Sequence, residues 1–71
     1  MNKHYYVNKQ NTGNPNYNHE VHAEDCQWLP SVQNCDYLGH FDSCEKAIKK
    51  AQEFYTRVDG CATCCPNCHK A

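Results

Sequence analysis

The sequence runs Cys61-Ala62-Thr63-Cys64-Cys65-Pro66-Asn67-Cys68-His69 near its C-terminal end. This stretch holds four of the seven cysteines of a 71-residue chain. A second group, His22-Ala23-Glu24-Asp25-Cys26, lies well upstream. An imidazole and a thiol at one place, with a tight Cys-x2-Cys turn (a cysteine knuckle) at another, are typical of small domains that hold tetrahedral zinc. The sequence therefore predicts a Zn²⁺ site.

The size and composition of the chain indicate how much a bound zinc ion would contribute to the stability of the folded state. The chain has room for one domain, residues 1–71, and its mean hydropathy is −0.96. A core of this length alone rarely supplies more than about 3–5 kcal/mol. A structural zinc ion adds an apparent binding free energy of about 10–16 kcal/mol to the folded state. We therefore expect the metal to stabilise the fold more than the apolar core does.

Charge and the N-terminal residues bear on partners and compartment. The formal net charge of −1 argues against a nucleic-acid or membrane partner that is attracted by bulk electrostatics. Residues 1–7 contain no apolar run of the kind found in a signal peptide or a membrane span. We expect a cytoplasmic protein with reduced thiols, which favours metal over disulfides. If the chain is exported instead, the tail is interpreted as a disulfide scaffold.

Local patterns predict an α+β fold. The β-formers in residues 4–9, the turn-rich segment 11–16 and the alternation in residues 17–22 predict a β-hairpin that ends at His22. Residues 37–41 predict a short third strand. Trp28 is expected to fill the small core, because the chain has few large apolar residues.

One helix is predicted over residues 43–58. Its apolar residues recur at the spacing of three and four that marks a single buried face: Cys44, Ala47, Ile48, Ala51, Phe54, Tyr55 and Val58. Asp42 and Glu45 have the form of a capping box at the start. Gly60 stands where a helix end favours glycine. The expected order is hairpin, loop, helix and cysteine knuckle.

The ligand set is left open by the spacing alone. Residues 61–68 contain the spacings Cys61-x2-Cys64 and Cys65-x2-Cys68, and also Cys64-x3-Cys68. We favour the first pair, because it follows the predicted helix end directly. The predicted metal ligands are His22, Cys26, Cys61 and Cys64, with Cys68 as the substitute. Four protein donors leave no open position, so the ion is expected to be structural.

The remaining cysteines have simpler interpretations. Cys44 lies on the apolar face of the predicted helix and is interpreted as a small buried hydrophobe. Cys35 falls in a polar loop and is expected to be an exposed free thiol.

These features together resemble a known domain. The matching residues are His22-x3-Cys26, Leu38-Gly39, Phe41-x-Ser43, Ala47, Gly60 and the paired-cysteine tail. The pattern resembles the metal-binding domain of the Ada alkylation-repair proteins, and also a set of short bacterial Cys/His-rich proteins to which no function is attached. The resemblance implies a similar fold and a bound zinc ion.

The departures from the Ada pattern concern its chemistry. In that family the nucleophile that takes a methyl group from DNA is the first cysteine of a Cys-x3-Cys, and here His22 holds that place. A neutral imidazole cannot perform this transfer. Thr63 also stands where the family has proline. The resemblance therefore extends to the fold and not to the methyl transfer.

The sequence favours a non-enzymatic, structural zinc-binding domain that serves as a small adaptor for a protein partner. A first alternative is a nucleic-acid-binding module that uses the lysines of residues 46–50 and the aromatic pair at 5–6. A second is a thiol-based redox or metal sensor in which Cys35, Cys65 or Cys68 is reactive. An enzyme is not expected, because no general base pairs with an open metal position.

Overall fold

The computed structural model describes residues 2–10 and 18–69, and the predicted turn at 11–16 lies outside them. The elements are β1 (Lys3–Asn8), β2 (His19–Ala23), β3 (Cys35–Phe41), α1 (Cys44–Ala51) and β4 (Val58–Gly60), with 3-10 turns at Val32–Asn34 and Pro66–Cys68. The α+β prediction is confirmed. No helix in the described part of the chain is long and apolar enough to cross a membrane.

The four strands form one mixed sheet in the order β3-β1-β2-β4. β1 pairs antiparallel with β2, with Tyr6 opposite His22, and also antiparallel with β3. β2 pairs in parallel with β4, with Val21 opposite Gly60. The sheet therefore contains the predicted hairpin pairing and third strand, together with a fourth strand that the sequence analysis did not predict.

The helix prediction was wrong at its C-terminal end, because α1 stops at Ala51 rather than at residue 58. The following residues leave the helix in a turn, and the chain then runs beside β2. The amide of His19 donates to the carbonyl of Arg57, and the amide of Cys61 donates to the carbonyl of Val21. Pairing with the open edge of β2 thus satisfies backbone groups that a longer helix would have paired internally.

The helix start also differs from the prediction. Ser43 is the N-cap, and its side chain accepts from the amide of Lys46 at 3.5 Å. Asp42, the predicted cap, instead forms an ion pair with the Lys46 ammonium at 2.9 Å. The hydrogen bond and the positive charge of Lys46 hold the pKa of Asp42 below its usual range.

The core lies between the sheet and α1 and is built mainly from small side chains. Its fully buried members include Val7, Val21, Ala23, Ala47 and Ala51. The prediction that Trp28 fills the core was wrong, because its side chain is 61% exposed. An indole does not fit among closely packed alanines and cysteines, since protein interiors leave few voids. Phe54 is also exposed, because it lies beyond the end of α1.

Candidate metal centre

Four of the predicted ligands lie together at one end of the β2–β4 pair. The parallel register sets Val21 opposite Gly60, so the next residues of the two segments, His22 within β2 and Cys61 directly after β4, lie side by side. A turn in which the Cys26 amide donates to the Ala23 carbonyl brings Cys26 back to the same place.

The tail supplies the fourth donor of this cluster. Past β4 the chain folds back on itself, and the Cys65 amide donates to the Cys61 carbonyl at 2.8 Å. This turn carries Cys64 to the other three donors. The donor atoms of His22, Cys26, Cys61 and Cys64 all lie within 4.8 Å of one another.

Three donor–donor distances in this cluster are close to those of a tetrahedral site. Zn–S bonds of about 2.3 Å and a Zn–N bond of about 2.1 Å separate two sulfurs by about 3.8 Å, and sulfur from nitrogen by about 3.6 Å. The Sγ atoms of Cys26 and Cys61 are 3.8 Å apart. Nδ1 of His22 lies 3.6 Å from Cys26 Sγ and 3.9 Å from Cys64 Sγ. The cluster is therefore positioned to bind a metal ion.

The orientation of the His22 ring suits a metal ligand. Nδ1 faces the sulfurs, while Nε2 lies 3.8 Å from Oε1 of Glu20 on the same strand. Metal-binding histidines commonly point their other ring nitrogen at a carboxylate, which orients the ring and raises its basicity. Burial lowers the pKa of His22, so the imidazole is neutral, as a ligand must be.

The surroundings of the Cys64 thiol disfavour its ionised form when no cation is bound. Burial, followed by the hydrogen bond with Cys26, raises the pKa of the Cys64 thiol far above its usual range. The amide of Ala23 points at Cys64 Sγ at 3.4 Å and favours the thiolate, but burial outweighs it. Three sulfurs this close would repel one another as bare thiolates, whereas a divalent cation stabilises all three.

Cys68, predicted as the substitute ligand, lies outside this cluster. It forms a disulfide with Cys44, which ties the first residue of α1 to the 3-10 turn at Pro66–Cys68. The expectation of reduced thiols was therefore wrong for this pair, and so was the interpretation of Cys44 as a simple hydrophobe. The partners are 24 residues apart, so no local spacing indicated the bond.

Two further cysteines, Cys35 and Cys65, are buried and lie outside the disulfide. Cys35 begins β3, and its Sγ lies 3.4 Å from the Ser31 carbonyl, so the prediction of an exposed loop thiol was wrong. Cys65 is 1% exposed and belongs to the core. Burial raises the pKa of both thiols. A reactive thiol needs exposure and a lowered pKa, so neither residue is suited to the sensor role considered from the sequence.

Sequence analysis missed two residues that shape the centre. Glu20 sits two positions before His22, and residues two apart share a face of a strand. The alternation of residues along the strand could therefore have indicated that Glu20 lies on the same face as His22. The second is Gly60, which was wrongly expected at a helix end; it lies in β4 and packs closely against the 3-10 turn at Pro66–Cys68. No local pattern shows that contact.

No protein-family model, no curated protein and no solved structure matches the chain. The resemblance to the Ada domain therefore stays a prediction.

Proposed function

We propose that the chain is a non-enzymatic zinc-binding domain whose ion holds the fold together through His22, Cys26, Cys61 and Cys64. The observation that carries the proposal is the match between the distances in this cluster and those of a tetrahedral N/S site. Three thiolates and an imidazole also suit zinc better than Mg²⁺ or Ca²⁺, which prefer oxygen ligands.

The arrangement favours a structural role over a catalytic one. Catalytic zinc sites have three protein ligands and keep a fourth position for water or substrate. Here four protein donors occupy the tetrahedron. They come from the end of β2, the turn after it and the tail after β4, so the ion would join three segments of the chain.

The experiment that tests the proposal is a metal analysis of the purified chain with its disulfide intact. We expect one zinc ion per chain. Replacement by Co²⁺ should give the intense visible absorption of a tetrahedral, thiolate-rich site, since a four-coordinate cobalt absorbs far more strongly than an octahedral one. A chain without bound zinc, or a weak octahedral cobalt spectrum, would contradict the proposal.

Glu20 offers a second test, because it touches the centre only through His22. We expect Glu20→Ala to weaken zinc binding about tenfold, the lower end of the usual 10–100-fold effect of such outer partners. We expect the loss of zinc affinity to lie at the lower end of this range, because the Nε2–Oε1 distance of 3.8 Å exceeds that of a direct hydrogen bond. Competition with a coloured chelator measures the affinity.

The matched control for this variant is Glu53→Ala. Glu53 is an exposed carboxylate that pairs with Lys50 at 3.3 Å, so its removal changes the net charge equally without approaching the centre. Equal loss of zinc affinity in the two variants would mean that only overall charge matters and that Glu20 does not position His22.

The surface supports a protein partner better than a nucleic acid. Lys46 and Lys50 are paired with the acidic residues Asp42 and Glu53, so the helix offers little unbalanced positive charge to phosphates. The exposed Trp28 lies along a groove that also reaches His22 and Cys61. Tryptophan is enriched at protein–protein contacts, and this position supports the proposed adaptor role.

A further inference from the structure

A second group of metal-binding side chains lies away from the first centre. Donor atoms of Cys44, Glu45 and Cys68 lie within 4.8 Å of one another, and none of these residues belongs to the first cluster. Cys44 and Glu45 open α1, while Cys68 closes the 3-10 turn that packs against it. The two cysteines are joined in the disulfide.

We propose that cleavage of this disulfide opens a second metal site, which takes a thiolate-preferring divalent cation such as Zn²⁺. A dithiol reductant supplies two electrons and two protons, so that Cys44 and Cys68 become thiols and the dithiol becomes a disulfide. The cation then displaces the two thiol protons and binds both sulfurs and the carboxylate of Glu45. The oxidation state of one pair of cysteines thereby sets how many ions the chain holds.

The surrounding contacts keep the donors close after the S–S bond is broken. The Cys68 amide donates to the Cys65 carbonyl at 3.0 Å, and Cys65 is itself buried in the core. Gly60 packs directly against Cys68. On the other side, Cys44 and Glu45 are consecutive residues of the first helical turn, so their separation is fixed by the backbone. The second site therefore needs little rearrangement to bind an ion.

The same place has an entry path and suitable charge. A groove of about 450 Å³ runs past it, lined among others by Glu45, Lys49, Asp59 and Cys68. Two thiolates and one carboxylate leave a divalent ion with a net charge of −1, and the groove is lined by one basic side chain, Lys49, and one further acidic side chain, Asp59. Three protein donors leave the fourth position open to water from the groove. Sulfur ligands select zinc-like cations over Mg²⁺ or Ca²⁺.

The test compares the ion count of the oxidised and the reduced chain by native mass spectrometry in the presence of Zn²⁺. A water-soluble phosphine is the reductant, because it breaks the disulfide, becomes a phosphine oxide with oxygen from water, and does not hold zinc as a dithiol does. We expect reduction to add one zinc ion per chain. A gain of none, or of more than one, overturns the proposal.

The test compares the number of zinc ions per chain before and after reduction. The expected gain of one ion therefore does not depend on whether the first centre is filled. If the first centre binds no zinc, the expected counts are zero and one; if it binds zinc, they are one and two. If the proposed structural site fails, the oxidised chain holds no zinc. If the second site fails, reduction adds no zinc, so the two failures can be told apart.

The variant Glu45→Ala tests whether the carboxylate of Glu45 binds the second ion, or whether the two sulfurs bind it alone. In the reduced chain we expect this variant to bind the second zinc at least tenfold more weakly, while the first zinc is unaffected. Glu45 is exposed, so its removal leaves the core intact. Glu53→Ala, two residues beyond the end of α1, is the charge-matched control and should retain the second ion. Unchanged affinity for the second ion in Glu45→Ala would overturn the assignment of Glu45 as a ligand.

Discussion

Replacing Cys61 by alanine is expected to abolish metal binding and to unfold the chain. Cys61 is 4% exposed and supplies one of the three sulfurs of the centre, so its loss leaves an incomplete site inside the protein. The apparent binding free energy of a structural zinc, about 10–16 kcal/mol, exceeds the roughly 3–5 kcal/mol that a core of this size supplies. The measurement is amide dispersion in a ¹H–¹⁵N NMR spectrum, together with metal content.

The matched control is Cys35→Ala. Cys35 is also a buried cysteine outside the disulfide, 8% exposed, and undergoes the same chemical change, but it lies at the start of β3 outside the metal cluster. We expect it to cost about 1–2 kcal/mol, the ordinary effect of a small core truncation, with a dispersed spectrum and bound zinc. Treatment of the unmodified chain with a strong chelator should reproduce the Cys61→Ala spectrum.

Two outcomes would contradict the interpretation that the metal centre stabilises the fold. One is a Cys61→Ala chain as well folded as Cys35→Ala, which would show that the cluster contributes no more than an ordinary buried thiol. The other is an unmodified chain that keeps its dispersed spectrum after complete removal of metal. Either result would leave the disulfide and the core as sufficient sources of stability.

The parts of the fold that could be predicted are those encoded by short-range patterns. The pairing of β1 with β2 follows from alternation in residues 17–22, and the third strand from its apolar residues. The grouping of His22 with Cys26 and of Cys61 with Cys64 follows from spacings of four and three residues, which place two donors on one turn. Each of these signals lies within a few positions of the chain.

What could not be predicted depends on residues far apart in sequence. The three-residue strand β4 exists because β2 has an open edge, and Tyr55 and Val58 fit a helical period as well as they fit this arrangement. The Cys44–Cys68 disulfide depends on the packing of the tail against α1. Trp28 was misplaced because the residue count alone did not show that small side chains would fill the interior.

Gly60→Ala is expected to destabilise the chain through the contact that joins β4 to the tail. A Cβ at this position would lie 2.7 Å from Cys68 Cβ and 2.8 Å from the Cys65 carbonyl oxygen. Neither atom belongs to the flexible end of a side chain, so β4 or the 3-10 turn must shift. Overpacking of this kind costs about 1–3 kcal/mol, and we expect about 2–3 kcal/mol. At about 4–8 °C per kcal/mol for a domain of this size, Tm should fall by about 10–20 °C.

The comparison with Gly39→Ala tells whether this contact also positions the metal. Gly39 has φ of +135°, and a Cβ there would meet the Phe41 ring at 3.0 Å, so this variant should lose stability too. Gly39 lies on β3, however, at the opposite edge of the sheet from β4. Gly60 directly precedes Cys61, so a shift of β4 moves a ligand. We therefore expect zinc binding to weaken at least tenfold in Gly60→Ala and to stay unchanged in folded Gly39→Ala. Equal zinc affinities in the two variants would show that the tail contact stabilises the fold without placing Cys61.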